Sequence, residues 1–286
     1  MKKSRSGEFS TWNDIYNGKL NSELFIYGSS RAFRQIDPKI LEDSMISRSV
    51  YNLGMNGHNF YMQYMRHRII MKHNQKPVCI VLSLDVTTLA KRKDLFNADQ
   101  FNPYFNDTII TNAIKTYEGP DFFDYNFPMV RFRFSKWQIL EGIKCFIKPS
   151  SSFNNRYKGF LSNDGKWTNE FDAARAQNLK MTIPLDRQSI ILFDQFLNET
   201  TKNKIQVVFV YSPEYIEGQN YISNRKEIFA LYHAYAKKYQ IPFLDYSTDS
   251  INYDKKYFYN TQHLNTLGVN AFTPKLAADL KVLLGR

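Results

Sequence analysis

The sequence predicts an α/β fold with a parallel sheet covered by helices on both faces. Apolar, β-branched or aromatic runs bounded by turn residues recur along the chain, amphipathic helical patterns fall between them, and strand alternating with helix is the rhythm of crossover-connected parallel strands. The length, 286 residues, suits one α/β domain with an ample core that also carries a sizeable insertion.

The first run, Leu24 to Tyr27, ends in the small-residue turn Gly28-Ser29-Ser30-Arg31. That turn puts a hydroxyl at the carboxyl end of a strand, where open parallel sheets bind their ligands. Ser30 is there either as a reactive group or as a helix cap. Asp37-Pro38 starts the next helix, with aspartate at the N-cap and proline where its missing N–H costs nothing. The second strand, Val50 to Leu53, turns through Gly54 and Gly57 into a helix over residues 58–73, and the third, Val78 to Leu84, reads as a buried parallel strand.

The stripe Ile190, Phe193, Phe196 and Leu197 leads into the fourth strand, Ile205 to Tyr211, which Pro213 terminates. Glu214 then sits in a loop on the same rim as Ser30, either solvated or in contact with substrate. Phe229, Tyr232, His233 and Ala236 form the next stripe, His233 reading as a packed core side chain, ahead of the fifth strand, Pro242 to Tyr246. Val269, Phe272, Leu276, Leu280 and Leu283 make the last amphipathic helix, which Asn265 is placed to cap. Just before it stands His263, the one obvious base for a serine at the rim.

The rhythm breaks between residues 86 and 186, where a crossover needs only about a dozen residues. The segment is rich in aromatics, as in Phe101-Asn102-Pro103-Tyr104-Phe105, Asp121-Phe122-Phe123-Asp124-Tyr125 and Lys166-Trp167, with a polar turn at Ser150 to Asn155. It is either a lid or substrate-binding cap over residues 86–186 or a packing elaboration of a single domain, 1–286.

With 23 Phe and 19 Tyr the aromatic share is 16%, which suits a wide apolar cleft. The formal charge of +11 comes from basic clusters at Lys2 to Arg5, Arg66 to Lys76, Lys91 to Lys93 and Arg131 to Lys136. They are scattered rather than gathered on a nucleic-acid module, so no nucleic acid partner is expected and a basic solvated surface is. No stretch approaches the roughly 18 apolar residues of a membrane span, and no signal core follows Met1-Lys2-Lys3. Two cysteines, Cys79 in a buried strand and Cys145 in an apolar helical segment, make no disulfide framework. No metal motif, phosphate loop or dinucleotide spacing is present, and no cofactor is implied. His58 is placed to line the cleft, while His67 and His73 lie among basic residues and read as surface.

The order of these motifs resembles that of the SGNH, or GDSL-type, hydrolases, over nearly the whole chain. The resemblance implies a three-layer α/β/α sandwich of flavodoxin-like form, with a five-stranded parallel sheet, that hydrolyses or transfers acyl esters. Gly28-Ser29-Ser30 stands for the family's Gly-Asp-Ser and makes Ser30 the implied nucleophile. Arg31 completes a Gly-Ser-Ser-Arg variant found in relatives that are often associated with the bacterial cell envelope. Asn52-Leu53-Gly54-Met55-Asn56-Gly57 matches Asn-x-Gly-x-x-Gly, giving Gly57 an oxyanion-hole role beside the Ser30 amide.

Two blocks depart from the pattern. Ser83-Leu84-Asp85-Val86 stands where the family has Gly-x-Asn-Asp, so Asp85 occupies the position of an oxyanion donor that an ionised carboxylate cannot fill. Asp85 is therefore protonated, or turned away, or another group donates. Loss of one such donor costs about 2.7 to 4 kcal/mol of transition-state stabilisation. Asn260-Thr261-Gln262-His263 replaces Asp-x-x-His, so His263 is the implied base while the orienting acid is the amide of Asn260. Asp249 and Asp254 lie in the same loop and are alternative acids.

The implied substrate is an acylated carbohydrate or lipid, with Arg31, Asn56 and Glu214 as candidate substrate contacts and a membrane surface or cell envelope as the expected setting. Two other readings stand beside it: a catalytically silent glycan-binding protein, favoured by Asp85 and Asn260, and an anion-binding surface protein exploiting the net positive charge, which would bind with steep salt dependence. The oligomeric state is not encoded in these patterns.

Overall fold

A computed structural model describes the chain except residues 46–47, 91, 149–154, 169–170, 178–179 and 286. Among the described residues, β1 (Leu24–Tyr27), β2 (Val50–Asn52), β3 (Cys79–Ser83), β4 (Gln206–Tyr211) and β5 (Phe243–Asp245) form one sheet, all parallel, in the order β2-β1-β3-β4-β5. Every strand lies inside the apolar run that predicts it. The helices are α1 (Glu8–Tyr16), α2 (Ser30–Gln35), α3 (Pro38–Ser44), α4 (Phe60–His73), α5 (Thr108–Ile114), α6 (Phe122–Asn126), α7 (Lys136–Ile147), α8 (Asp172–Ala176), α9 (Arg187–Lys202), α10 (Ile216–Tyr221), α11 (Arg225–Tyr239) and α12 (Thr266–Leu283).

Strand side chains alternate between two apolar clusters, as the two-residue period of a strand requires. Phe25, Tyr27, Ile80, Leu82, Val207 and Phe209 enter one cluster, which α1, α4, α9 and α11 also fill. Leu24, Ile26, Cys79, Val81, Val208 and Val210 enter the other, which draws on α2, α3 and α12. Helices thus flank both faces. The predicted caps are made: Asp37 accepts the Lys39 amide at 2.8 Å with Pro38 in the first turn of α3, and Asn265 accepts the Gly268 amide at 3.0 Å at the start of α12.

Several expectations are corrected. Helix α1 is not anticipated by the sequence because its buried positions include Glu8, Ser10, Thr11 and Asn13, which hide any apolar stripe. Inside, Glu8 pairs with Arg66 at 3.4 Å and with Arg156 at 2.9 Å. Burial alone would raise the Glu8 pKa, but the guanidiniums of Arg156 and Arg66 hold it below the usual carboxylate range.

Arg66, within the basic run on α4, therefore points inward, while Arg68 and Lys72 stay exposed. His67, expected at the surface, is buried, with its Nδ1 3.1 Å from the Tyr27 hydroxyl. Likewise His73 is half-buried, its ring centroid 5.1 Å from that of Tyr16. His233 is corrected the other way: it is exposed and packs its ring against Phe243, while Ile228, Tyr232 and Ala236 form the buried face of α11.

The segment between β3 and α9 runs round the molecule rather than crossing it directly. Its first part packs on α1, with the Trp12 indole donating to Gln100 at 3.1 Å and the Tyr104 hydroxyl to Asn13 at 2.9 Å. Further on, it passes the β2 edge, where the Asn52 amide donates to the Lys158 carbonyl at 2.9 Å, and then the loop after β5, where the Thr168 amide donates to Tyr259 at 3.0 Å. It returns beside α10 through Met181, which donates to the Tyr221 carbonyl at 2.9 Å. The polar turn expected at Ser150 to Asn155 lies, apart from Asn155, outside the described residues.

Candidate active site

With this strand order, the connections leave β1 and β3 in opposite directions, and a crevice opens at their carboxyl ends. Ser29 and Ser30 follow β1, Gly57 follows β2, Asp85 follows β3, Ser212 to Glu214 follow β4, and the loop carrying His263 lies between β5 and α12. A cleft of about 400 Å³ opens here, lined by Ser29, Ser30, Gly57, Asp85 and Gln262 among others. That volume falls in the range of about 300–1,000 Å³ typical of small-molecule sites.

The turn after β1 is held by contacts that leave no room for a side chain at Gly28. Its φ is +144°, and a Cβ there would lie 2.7 Å from both the Ser83 carbonyl oxygen and the Ala32 Cβ. The capping role goes to Ser29, whose side chain accepts the Arg31 amide at 3.4 Å. Ser30 is instead the first residue of α2, and its hydroxyl lies 2.8 Å from Nε2 of His263.

The ring of His263 is fixed from behind. Asn260 Oδ1 accepts the backbone amides of Gln262 at 3.0 Å and His263 at 2.9 Å, which identifies it as the oxygen, and His263 Nδ1 lies 2.9 Å from it. Nδ1 must then carry the proton, leaving Nε2 as the bare nitrogen that faces Ser30. Desolvation, then the guanidiniums of Arg31 and Arg34, push the His263 pKa down to about 4, against an upward pull from Asp85. The imidazole is neutral near pH 7. Tyr259 stacks on it at 5.4 Å between centroids with the planes 6° apart.

Gln35, on α2 with Ser30, ties this loop in place. Its amide donates to the Gln262 carbonyl at 2.7 Å, and its oxygen accepts the Ser212 hydroxyl. Asp249 and Asp254, the alternative acids, are engaged elsewhere, Asp249 with Lys275 and Asp254 with Lys256, each at 2.8 Å.

Asp85 is buried and acts as an acceptor. One oxygen takes the Ser29 hydroxyl, and the other takes the Thr87 amide at 2.8 Å and the Thr87 hydroxyl at 2.6 Å. Both carboxyl oxygens of Asp85 are thus engaged by Ser29 and Thr87 at the edge of the cleft. Gly57 has φ +74°, and a Cβ there would fall 2.4 Å from the Phe96 ring. Among the described residues, the amides of Ser30 and Gly57 donate to no other group.

Two of the three candidate substrate contacts, Arg31 and Glu214, lie at the cleft. Arg31 and Glu214 border the cleft but are 3% and 1% exposed, and their polar groups face each other and the protein. Arg31 donates to the Ser212 and Pro213 carbonyls and lies over the Tyr211 ring at 4.3 Å; Glu214 pairs with Arg225 at 3.2 Å. The solvated reading of Glu214 fails for the same reason. Asn56 is not among the residues lining the cleft; Asn59 is, with its amide donating to the Ala90 carbonyl.

His58 does line the cleft, buried, with Nε2 3.2 Å from Gln100 and its pKa lowered to about 4 by burial. The wall that sequence reasoning misses consists of Val86, Ala90, Met181, Ile183 and Pro184, two ends of one long segment that meet only in the fold. A second recess of about 220 Å³, lined by Thr168, Phe171, Asn260, Thr261 and Gln262, shares Gln262 with the cleft.

The chain matches no protein-family model and no curated protein. Solved structures align with it over nearly its full length at low identity. They include a protein assigned as an acylhydrolase from Bacteroides fragilis (11% identity, 97% of this chain and 95% of that one, TM-score 0.45). A GDSL-like lipase from Bacteroides thetaiotaomicron aligns at 12% identity over 96% of this chain and 97% of that one, with a TM-score of 0.43. A protein assigned as a platelet activating factor from Streptococcus pneumonia aligns at 10% identity, over 96% of this chain and 92% of that one, also with a TM-score of 0.43.

Proposed function

We propose that this chain is a serine-dependent ester hydrolase or O-acyltransferase of the SGNH type, built as a three-layer flavodoxin-like sandwich and acting on an acylated carbohydrate or lipid. One observation carries the reading: the Ser30 hydroxyl lies 2.8 Å from an imidazole nitrogen that Asn260 leaves bare, at the edge of a cleft at the carboxyl ends of the strands.

In this mechanism Ser30 Oγ attacks the ester carbonyl while its proton passes to His263 Nε2. The amides of Ser30 and Gly57 receive the negative charge on the tetrahedral oxygen. Collapse expels the alcohol, which takes the proton from His263 and leaves an acyl group on Ser30. Water or a sugar hydroxyl then attacks, His263 accepting its proton, and the acid or new ester departs as the proton returns to Ser30. The wall of Val86, Ala90, Met181, Ile183 and Pro184 suits an acyl chain, and the more polar recess by Thr168 and Thr261 suits the alcohol portion.

A second reading, a catalytically silent glycan binder, is favoured by the engaged Asp85 carboxylate and the uncharged Asn260. Labelling with a serine-directed fluorophosphonate separates the two. The enzyme reading expects labelling of the native chain and none of Ser30→Ala, with both chains melting at similar temperatures. Equal labelling of Ser30→Ala, or none of the native chain together with no turnover of p-nitrophenyl esters, overturns it.

A further inference from the structure

Helix α7 is packed inside out. Its inner face is polar: Gln138 and Glu141 are 2% and 8% exposed, Gln138 donates to the Asp99 carbonyl at 2.8 Å, and Glu141 accepts the Ser4 and Ser6 hydroxyls at 2.9 Å each. Its outer face carries Trp137, Ile139, Leu140, Ile143, Phe146 and Ile147, with Phe146 86% and Ile147 77% exposed. Their three- and four-residue spacing makes one continuous stripe, the pattern that a helix ordinarily turns toward a core. An apolar surface of this extent marks an interaction site rather than scattered surface residues.

Charge indicates what covers it. The helix's acid, Glu141, points inward, while the exposed Lys136 and Lys144 lie along the stripe. A second copy of a chain with a net charge of +11 would bring these lysines against their own kind. An anionic lipid surface offers acyl chains for the stripe and phosphates for the lysines together.

We propose that α7 is an interfacial anchor that lies in the plane of an anionic bilayer, its stripe in the acyl boundary and its lysines on the headgroups. With 12 residues it is shorter than the roughly 20 needed to span, and among the described residues no helix is long and apolar enough to cross a membrane. The anchor does not depend on the chemistry at Ser30.

Co-sedimentation of the full chain with vesicles tests this. Vesicles of equal parts phosphatidylcholine and phosphatidylglycerol should pellet it, and phosphatidylcholine alone should bind at least about tenfold more weakly, since the lysines then lose their partners. Phe146→Ser with Ile147→Ser should weaken binding to the mixed vesicles by at least about tenfold, with an unchanged melting temperature because both side chains are exposed. Iodide quenching of native fluorescence should fall on adding mixed vesicles, and Trp137→Phe should remove that change. No pelleting with mixed vesicles, pelleting unaffected by the double substitution, or a native dimer in sedimentation velocity that Phe146→Ser with Ile147→Ser dissolves would each overturn the proposal, the last assigning the stripe to a second copy.

Discussion

Asn260 accepts the ring N–H of His263 at 2.9 Å as a carboxylate would, but brings no charge to the imidazolium that the proposed mechanism requires when Ser30 gives up its proton. That missing charge accompanies a His263 pKa of about 4, since desolvation and two guanidiniums act on the ring with Asp85 the remaining upward influence. The base works only when neutral, so turnover should hold as pH falls from 7 and drop as it passes through about 4. Asn260→Asp keeps the acceptor and adds the charge. It should move the acid limb upward and raise the plateau by about tenfold, because a carboxylate beside the ring favours the imidazolium by roughly one pKa unit or more. The kcat/KM profile of both chains on p-nitrophenyl acetate checks this; coincident acid limbs would mean that His263 is not the titrating base. The serine, the histidine and the amide are all legible in the sequence. What the sequence does not carry is the set of bonds around Asp85, because Thr87 and Ser29 reach it only through the fold.

At the scale of elements, the strands are the most legible part. Parallel strands buried on both faces need apolar side chains at every position, and such runs are visible without knowledge of their neighbours. Helices are less so, because a buried face need not be apolar. Helix α1 buries Glu8 and Asn13, and α4 carries Arg66 into the interior over the Trp12 ring at 4.3 Å. Helix α2 is short, yet it holds Ser30 at its first position and Gln35 at its last, and Gln35 bonds both the Gln262 carbonyl and the Ser212 hydroxyl. Gln35 holds the His263 loop against Ser30 without itself lining the cleft. Gln35→Ala should therefore lower kcat by about tenfold with little change in KM, and cost about 1–3 kcal/mol of stability for the buried partner groups it strands. A matching rise in KM with kcat intact would give Gln35 a role in binding instead.

Across the whole molecule, the course of residues 86–186 could not be read from the sequence, because its contacts are with α1, the β2 edge and the loop after β5, each far away along the chain. The same interior sets the response to acid. His58 and His67 are both 4% exposed, and burial lowers each pKa to about 4. Unfolded, they would titrate near 6.5. Between those values the unfolded chain binds protons that the folded chain refuses, so stability falls as pH drops through that window, by up to about 1.4 kcal/mol per pH unit for each histidine. Below about 4 the two histidines add no further slope, and the depressed Glu8 carboxyl pulls the same way, its contribution being lost as pH falls below the ordinary carboxylate pKa of 4.5, because protonation leaves Arg66 and Arg156 uncompensated. Urea denaturation at a series of pH values should show the first slope, and His67→Gln should reduce it by about one proton. A slope in His67→Gln equal to that of the native chain would mean that His67 takes up its proton while folded, which its bond to the Tyr27 hydroxyl and its buried position argue against.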